Sequence, residues 1–242
     1  FPRLPLSAYI RAEKRKGDHS EYLSRARFIA ISEFGPQAMV YHAGNKYQIT
    51  RSLIPLNEES AFEGGLQKQK LKLCTGCGFL HLGQIVDTQD KCDHCNASLG
   101  SARDNLFRME NVSTQKRMRI SSDEEERFKL GYEIISGVRF AQRDKSLSFT
   151  SGKITADDGT ELFQLYYGGS ATIWRINLGW RRRKKCDPDG FLIDIESGRW
   201  QSNTQAQDAN DQADEDAELS RPERVVPYVE DRRNALLIQP LF

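Results

Sequence analysis

Four cysteines set the tightest limit on what this 242-residue chain can fold into. Cys74, Cys77, Cys92 and Cys95 read C-x-x-C, fourteen residues, C-x-x-C. A C-x-x-C turn points two thiolates at one spot, and two such turns supply the tetrahedron of soft ligands that Zn2+ takes, with Zn–S of about 2.3 Å. The interval is just under the roughly 15–20 residues usual for four-cysteine sites, but the pattern is the same. Gly76, Gly78 and Asn96 tolerate the left-handed backbone such turns need. Residues 79–86 between the pairs read as a strand and 87–90 as its turn, so 66–110 has the layout of a zinc ribbon. Disulfides or a redox pair are the alternatives. With no secretion signal, a metal site in a reducing, cytoplasmic setting is favoured. His81 and His94 are the nearby imidazoles, but four thiolates already complete a shell. One structural Zn2+ is expected, because a catalytic zinc keeps an open position and needs a base beside it. Cys186 follows Lys184 and Lys185 and has no cysteine left to pair with.

The formal net charge of +1 conceals an uneven distribution. Residues 201–220 hold six acids (Asp208, Asp211, Asp214, Glu215, Asp216, Glu218) and no base, which leaves +7 on the rest. That stretch is poor in apolar residues and reads as a disordered acidic loop. Three roles suit it: a solubilising linker, an intramolecular mimic of DNA charge, or a partner-binding segment. Over the whole chain 38% of residues are hydrophobic, enough for a packed core. No apolar run approaches the roughly 18–20 residues of a membrane span. The first residue is Phe1, which suggests a piece of a longer protein.

Alternation and turn residues predict an α+β chain, mostly antiparallel β, with the four-cysteine zinc ribbon inserted. Ser7 caps a helix over 8–16, ended by Gly17. Residues 27–34 alternate weakly and read as a strand, followed by strands over 37–42 and 46–53 around the turn Ala43-Gly44-Asn45. This makes a small β meander with an N-terminal helix, residues 1–65, its end a polar connector at 57–65. Residues 111–200 form a β-rich subdomain. It opens on a basic strand over 116–120. A short helix follows, with the capping box Ser122 and Glu125, ended by Gly131. Then come strands over 132–140, 146–150, 161–167, 171–178, 191–195 and 199–201, with Gly168-Gly169 as a turn. In 171–178, Trp174, Ile176 and Leu178 share one face, and Arg175 and Asn177 the other. Four or five antiparallel strands suggest a sandwich or half-barrel. Residues 221–242 return as strand and lead toward a further domain.

No phosphate loop, dinucleotide fingerprint, H-E-x-x-H or G-x-S-x-G occurs, so no catalytic residue is assigned. Basic residues beside aromatics are the better lead. Trp180 precedes Arg181, Arg182, Arg183, Lys184 and Lys185, after a strand bearing Arg175. Lys116, Arg117 and Arg119 form a second cluster, and Lys68, Lys70 and Lys72 a third, the latter on one face of a strand. Such residues reach phosphates and release condensed counterions, which makes DNA the expected partner.

Several segments resemble the C-terminal region of large bacterial superfamily 2 (DEAD/DEAH-type) DNA helicases, upstream of the MrfA-type zinc-binding (MZB) domain. They are 27–36, the ribbon over 73–95, Arg119-Ile120-Ser121-Ser122-Asp123-Glu124-Glu125-Glu126-Arg127 with Gly131-Tyr132-Glu133, Arg175-Ile176-Asn177-Leu178-Gly179-Trp180 with Gly190-Phe191, and Val229-Glu230-Asp231-Arg232-Arg233-Asn234. Similar helicases serve DNA repair and anti-phage defence systems of the Druantia and DISARM kind. The resemblance implies a non-catalytic accessory role beside helicase motor domains of the same chain, which would bind ATP, with a defence-system subunit as a further partner. The motor motifs and the second cysteine cluster of the terminal domain are absent, so neither ATP hydrolysis nor that domain's function is carried over. A protein-interaction module without nucleic-acid contact is the alternative. A nuclease fragment is the weaker third, having no metal-carboxylate motif.

Overall fold

The computed structural model describes residues 4–11, 20–54, 66–83, 86–117, 131–144, 146–184, 186–201 and 221–241. In chain order the elements are β1 (Leu6–Ile10), β2 (Glu21–Arg25), α1 (Arg27–Glu33), β3 (Met39–His42), β4 (Asn45–Ser52), β5 (Lys68–Leu73), β6 (Leu80–Leu82), β7 (Arg103–Arg108) and β8 (Val112–Arg117). There follow β9 (Tyr132–Phe140), β10 (Gln142–Arg143), β11 (Ser146–Leu147), β12 (Thr150–Thr155), β13 (Glu161–Trp180), β14 (Phe191–Asp194), β15 (Trp200–Gln201) and β16 (Pro222–Pro240). The pairing is mostly antiparallel, with β1/β8 and β7/β16 parallel. Among the described residues α1 is the one helix, and no helix is long and apolar enough to cross a membrane. The expected helix at 122–130, the connector at 57–65 and the acidic stretch 202–220 lie outside the described residues.

The chain forms two compact units, each drawn from three separate segments. The first comprises Phe1–Gln69, Asn105–Ile135 and Ile176–Val229; the second, Lys70–Asp104, Ser136–Arg175 and Glu230–Phe242. A reading by composition divides a chain into consecutive stretches, whereas these units are assembled across it.

The first unit holds a five-stranded sheet in the order β2-β1-β8-β4-β3. Its outer strands are β2 and β3, yet Glu21 Oε2 of one meets His42 Nε2 of the other at 2.7 Å. The sheet therefore curls until its edges face each other. Strand β1 lies where a helix is expected from Ser7. Leu6, Ala8 and Ile10 are buried, and Ser7 and Tyr9 are half-buried. Period-2 burial decides for the strand over residues 6–10. The reverse correction applies to 27–34, a helix and not a strand. Its buried residues Ala30, Ile31 and Phe34 follow i, i+1, i+4 spacing, the stripe of a helix. No side chain caps Ala26 and no acid sits in the first turn, so the usual start signals are missing. These groups join Val40, Ile49, Val112, Tyr132, Phe191, Trp200 and Val225 in one core. Tyr132 donates its hydroxyl hydrogen to the Pro36 carbonyl at 2.7 Å.

The second unit contains the β5/β6 hairpin and the β12/β13 hairpin, the latter closed at Gly159 with φ +83°. The strands expected over 161–167 and 171–178 are one strand, β13. Gly168 and Gly169 are not a turn. At Gly168 a Cβ would lie 2.5 Å from the Phe140 ring, so glycine is there for close packing. In the part of β13 that belongs to the first unit, Asn177, on the face opposite Ile176 and Leu178, is fully buried; its Oδ1 accepts the Gly179 N–H at 3.1 Å.

Candidate metal centre

The two cysteine turns are built alike. In the first, Gly78 N–H donates to the Cys74 carbonyl (2.8 Å) and Cys74 N–H to the Phe79 carbonyl (2.9 Å). In the second, Asn96 donates to Cys92 (2.9 Å) and Cys92 to Ala97 (2.9 Å). Gly78 and Asn96 occupy the same position in the two turns, with φ +72° and +61°. Gly76 has no positive φ; a Cβ there would lie 3.8 Å from Cys74 Sγ, ordinary contact. The first turn is fixed further where Val138 N–H donates to the Gly78 carbonyl at 3.0 Å.

These turns bring the four sulfurs within 4.8 Å of one another. Cys74 and Cys95 Sγ lie 3.5 Å apart, Cys77 and Cys92 Sγ 3.7 Å apart. A tetrahedron with metal–sulfur bonds of about 2.3 Å has an edge of about 3.8 Å, so the spacing suits one ion held by four thiolates. Cys74, Cys77 and Cys92 are buried and Cys95 half-buried, against Phe79, Phe140 and Ala171. Burial pushes the Cys77 and Cys92 thiols up. At Cys95 burial acts the same way, but the Ala97 N–H and the neighbouring thiols outweigh it and bring the thiol down. A metal displaces these protons, so affinity falls as pH falls.

The surroundings of Cys92 are the part that spacing does not reveal. His81, on β6, is fully buried, and its Nε2 lies 3.4 Å from Cys92 Sγ, within N–H···S reach. The His94 backbone N–H donates to the same sulfur at 3.4 Å. On its other side, His81 Nδ1 is 3.3 Å from Asp93 Oδ2. Gln89 Nε2 donates to the other carboxylate oxygen of Asp93 at 2.6 Å. Lys72 Nζ donates to the Gln89 carbonyl at 2.9 Å and reaches the Asp87 carbonyl at 3.4 Å. A run of polar contacts thus leads from β5 to the second cysteine turn. His81 is placed to support a ligand, since imidazoles and carboxylates beside a shell orient the ligands they touch. Burial pushes its pKa down, with Asp93 opposing. His81→Leu should release metal to a chromogenic chelator about 10–100-fold faster. His81→Gln keeps an N–H at similar reach and should release it more slowly than His81→Leu. His94 packs differently. Its ring stacks on Phe79 (5.5 Å, 17°) and meets Tyr166 edge-on at 4.3 Å, and burial pushes its pKa down.

The basic residues are scattered among several tasks. Lys72 is buried and holds carbonyls, Lys70 pairs with Asp87 (2.8 Å), and Lys68 pairs with Glu223. The third cluster is therefore no open cationic face, because all three heads have partners. Arg183 is held by Glu133 and Asp189, each at 2.7 Å, with its side chain only 18% exposed. Trp180 stacks on Tyr132 at 4.7 Å and packs against the core. Arg181, Arg182 and Lys184 are exposed, and the loop is tied down by Arg181 N–H to the Gly131 carbonyl (2.7 Å). Lys116 and Arg117 are exposed, and Arg117 donates to Gln48 Oε1 at 2.8 and 2.5 Å. Arg175 is half-buried in the second unit. Lys185 and Arg119 lie outside the described residues. No protein-family model, curated protein or solved structure matches the chain.

Proposed function

We propose that this chain is a zinc-stapled, non-catalytic module that contacts DNA. It would be the accessory part of an ATP-driven helicase or translocase of the kind it resembles, serving DNA repair or anti-phage defence in the cytoplasm. The observation that carries the metal half is the closed set of four sulfurs within 4.8 Å. Four thiolates with tetrahedral spacing suit Zn2+ or iron, and zinc brings no redox chemistry that the surroundings would have to manage. A shell filled by protein ligands holds a fold and leaves no site for substrate. The ion's role is thus to lock two turns that a small apolar core would not hold alone.

The DNA half is supported by the exposed cations of the loop after β13 and of β8. Arg181, Arg182 and Lys184 face solvent on a loop closed by backbone hydrogen bonds, which suits phosphate contact. The isolated chain should bind an oligonucleotide at about 50 mM salt with steep salt dependence. Reversing these three residues to glutamate should flatten log K against log salt by about 2–3 units. No binding at that salt would overturn the DNA reading. The second reading, a module that docks a protein partner, is favoured by Tyr167, Leu236 and Ile238, exposed at 47%, 54% and 53%. A partner retained after the loop is neutralised would decide for it.

A further inference from the structure

Strand register brings together residues far apart in the chain on the outer face of the first unit's curled sheet. Tyr41 pairs with Lys46, and Lys46 with Arg117, across β3, β4 and β8. Two residues along, Gln48 pairs with Gln115. Two further along β8, Ser113 pairs with Tyr9, and Tyr9 with Tyr22, across β1 and β2. Paired residues share a face, and so do alternate residues of one strand. The opposite face carries Ala8, Val40, Tyr47, Ile49 and Val112, which are core.

Three properties of this outer face point one way. The positions named hold three tyrosines, two cations and amides, and no carboxylate. Arg117 stands opposite Lys46, which is only 8% exposed, so of the two cations Arg117 is the one this face presents to solvent. The aromatic side chains are presented outward. Tyr22 is 66% and Tyr41 39% exposed. The rings of Tyr9 and Tyr22 lie 5.1 Å apart, and Tyr9 is pinned by its hydroxyl donating to Ser20 Oγ at 3.0 Å. Glu21, the one acid of β2, lies on the other alternation and is engaged with His42. Exposed rings beside Arg117, at positions that among the described residues hold no carboxylate, complement a ligand that is anionic and has π faces. Bases held in a duplex do not offer those faces.

We propose that this face is a platform for single-stranded nucleic acid. Tyr22 and Tyr41 stack bases, with Tyr9 buttressing Tyr22. Arg117, braced by Gln48, meets the phosphates. The proposal rests on the DNA-contact reading and assigns it to a different surface from the loop after β13.

The test uses the full chain and a fluorescein-labelled oligothymidine, read by anisotropy. Stacking on an aromatic is worth about 1–3 kcal/mol per base on alanine substitution, or about 5–150-fold in affinity. The Tyr22→Ala/Tyr41→Ala double variant should therefore bind at least about 5-fold more weakly. Tyr22→Phe/Tyr41→Phe, which keeps the rings, should bind as the parent does. Arg117→Gln should lower the salt slope by about 0.7. Both tyrosines are exposed, so an unchanged thermal melt shows that the fold is intact. If the parent binds and the alanine variant binds equally well with the same slope, this inference is overturned while the DNA reading stands. If the parent does not bind at all, both fall.

Discussion

Replacing Cys77 by serine is expected to leave the protein without its metal and the cysteine turns without their structure. Cys77 lies in the cluster formed with Cys74, Cys92, Phe79, Phe140 and Ala171, whose fully buried members include only two large apolar side chains, Phe79 and Phe140. Structural zinc contributes an apparent binding free energy of about 10–16 kcal/mol in zinc-finger peptides. A whole domain is stable by only about 5–15 kcal/mol, so losing a ligand removes more than a cluster of this size can replace. Metal content should fall from about one ion per chain to near zero. The amides that close the two turns, those of Cys74, Gly78, Cys92 and Asn96, should exchange as in an unfolded chain. A Cys77→Ser protein that keeps those amides protected would mean that packing, not metal, holds the turns.

The second large effect is expected at Gly190. This residue closes the loop that carries Arg181, Arg182 and Lys184. Its N–H donates to the Leu178 carbonyl at 2.8 Å. Its φ is +91°, and a Cβ would sit 2.2 Å from the Val225 carbonyl oxygen and 2.8 Å from its carbon. Both atoms are backbone of a paired strand, so no rotamer change relieves the contact. Strain and crowding together should cost about 3–5 kcal/mol in Gly190→Ala. With a urea slope of about 1–3 kcal/mol/M, the midpoint falls by at least about 1 M. Gly44→Ala is the control, because it has φ +73° but nothing within 4 Å of the added Cβ. It should cost only about 1–2 kcal/mol. Equal losses at the two positions would mean that crowding at Val225 plays no part.

What could be read directly from the residues was what short range determines. The two cysteine turns follow from spacing, because three residue steps of backbone place both thiols. The hairpin at Ala43 and Gly44 and the strand Met39–His42 follow from turn residues and alternation. Residues 27–34 read as a strand because their apolar and polar residues alternate weakly. Only packing shows that Ala30, Ile31 and Phe34 are the buried set. The place of His81 was beyond reach, since its contact with Cys92 depends on β6 folding back on β5 and on the loop that Lys72 ties. The tyrosine face is hidden for a related reason. Tyr9, Tyr22, Tyr41 and Arg117 come to share a face only through register across five strands. The basic run after Trp180 shows the opposite failure. Its charge is plain in the residues, but Arg183 is spent on Glu133 and Asp189.

In the function proposed above, four cysteines close a shell around one ion. X-ray absorption at the zinc edge, on protein purified without added metal, tests it most directly. The expected spectrum shows four sulfur neighbours at about 2.3 Å and no nitrogen or oxygen in the first shell. A nitrogen or oxygen ligand in that shell, or protein that is folded and free of metal, would contradict it.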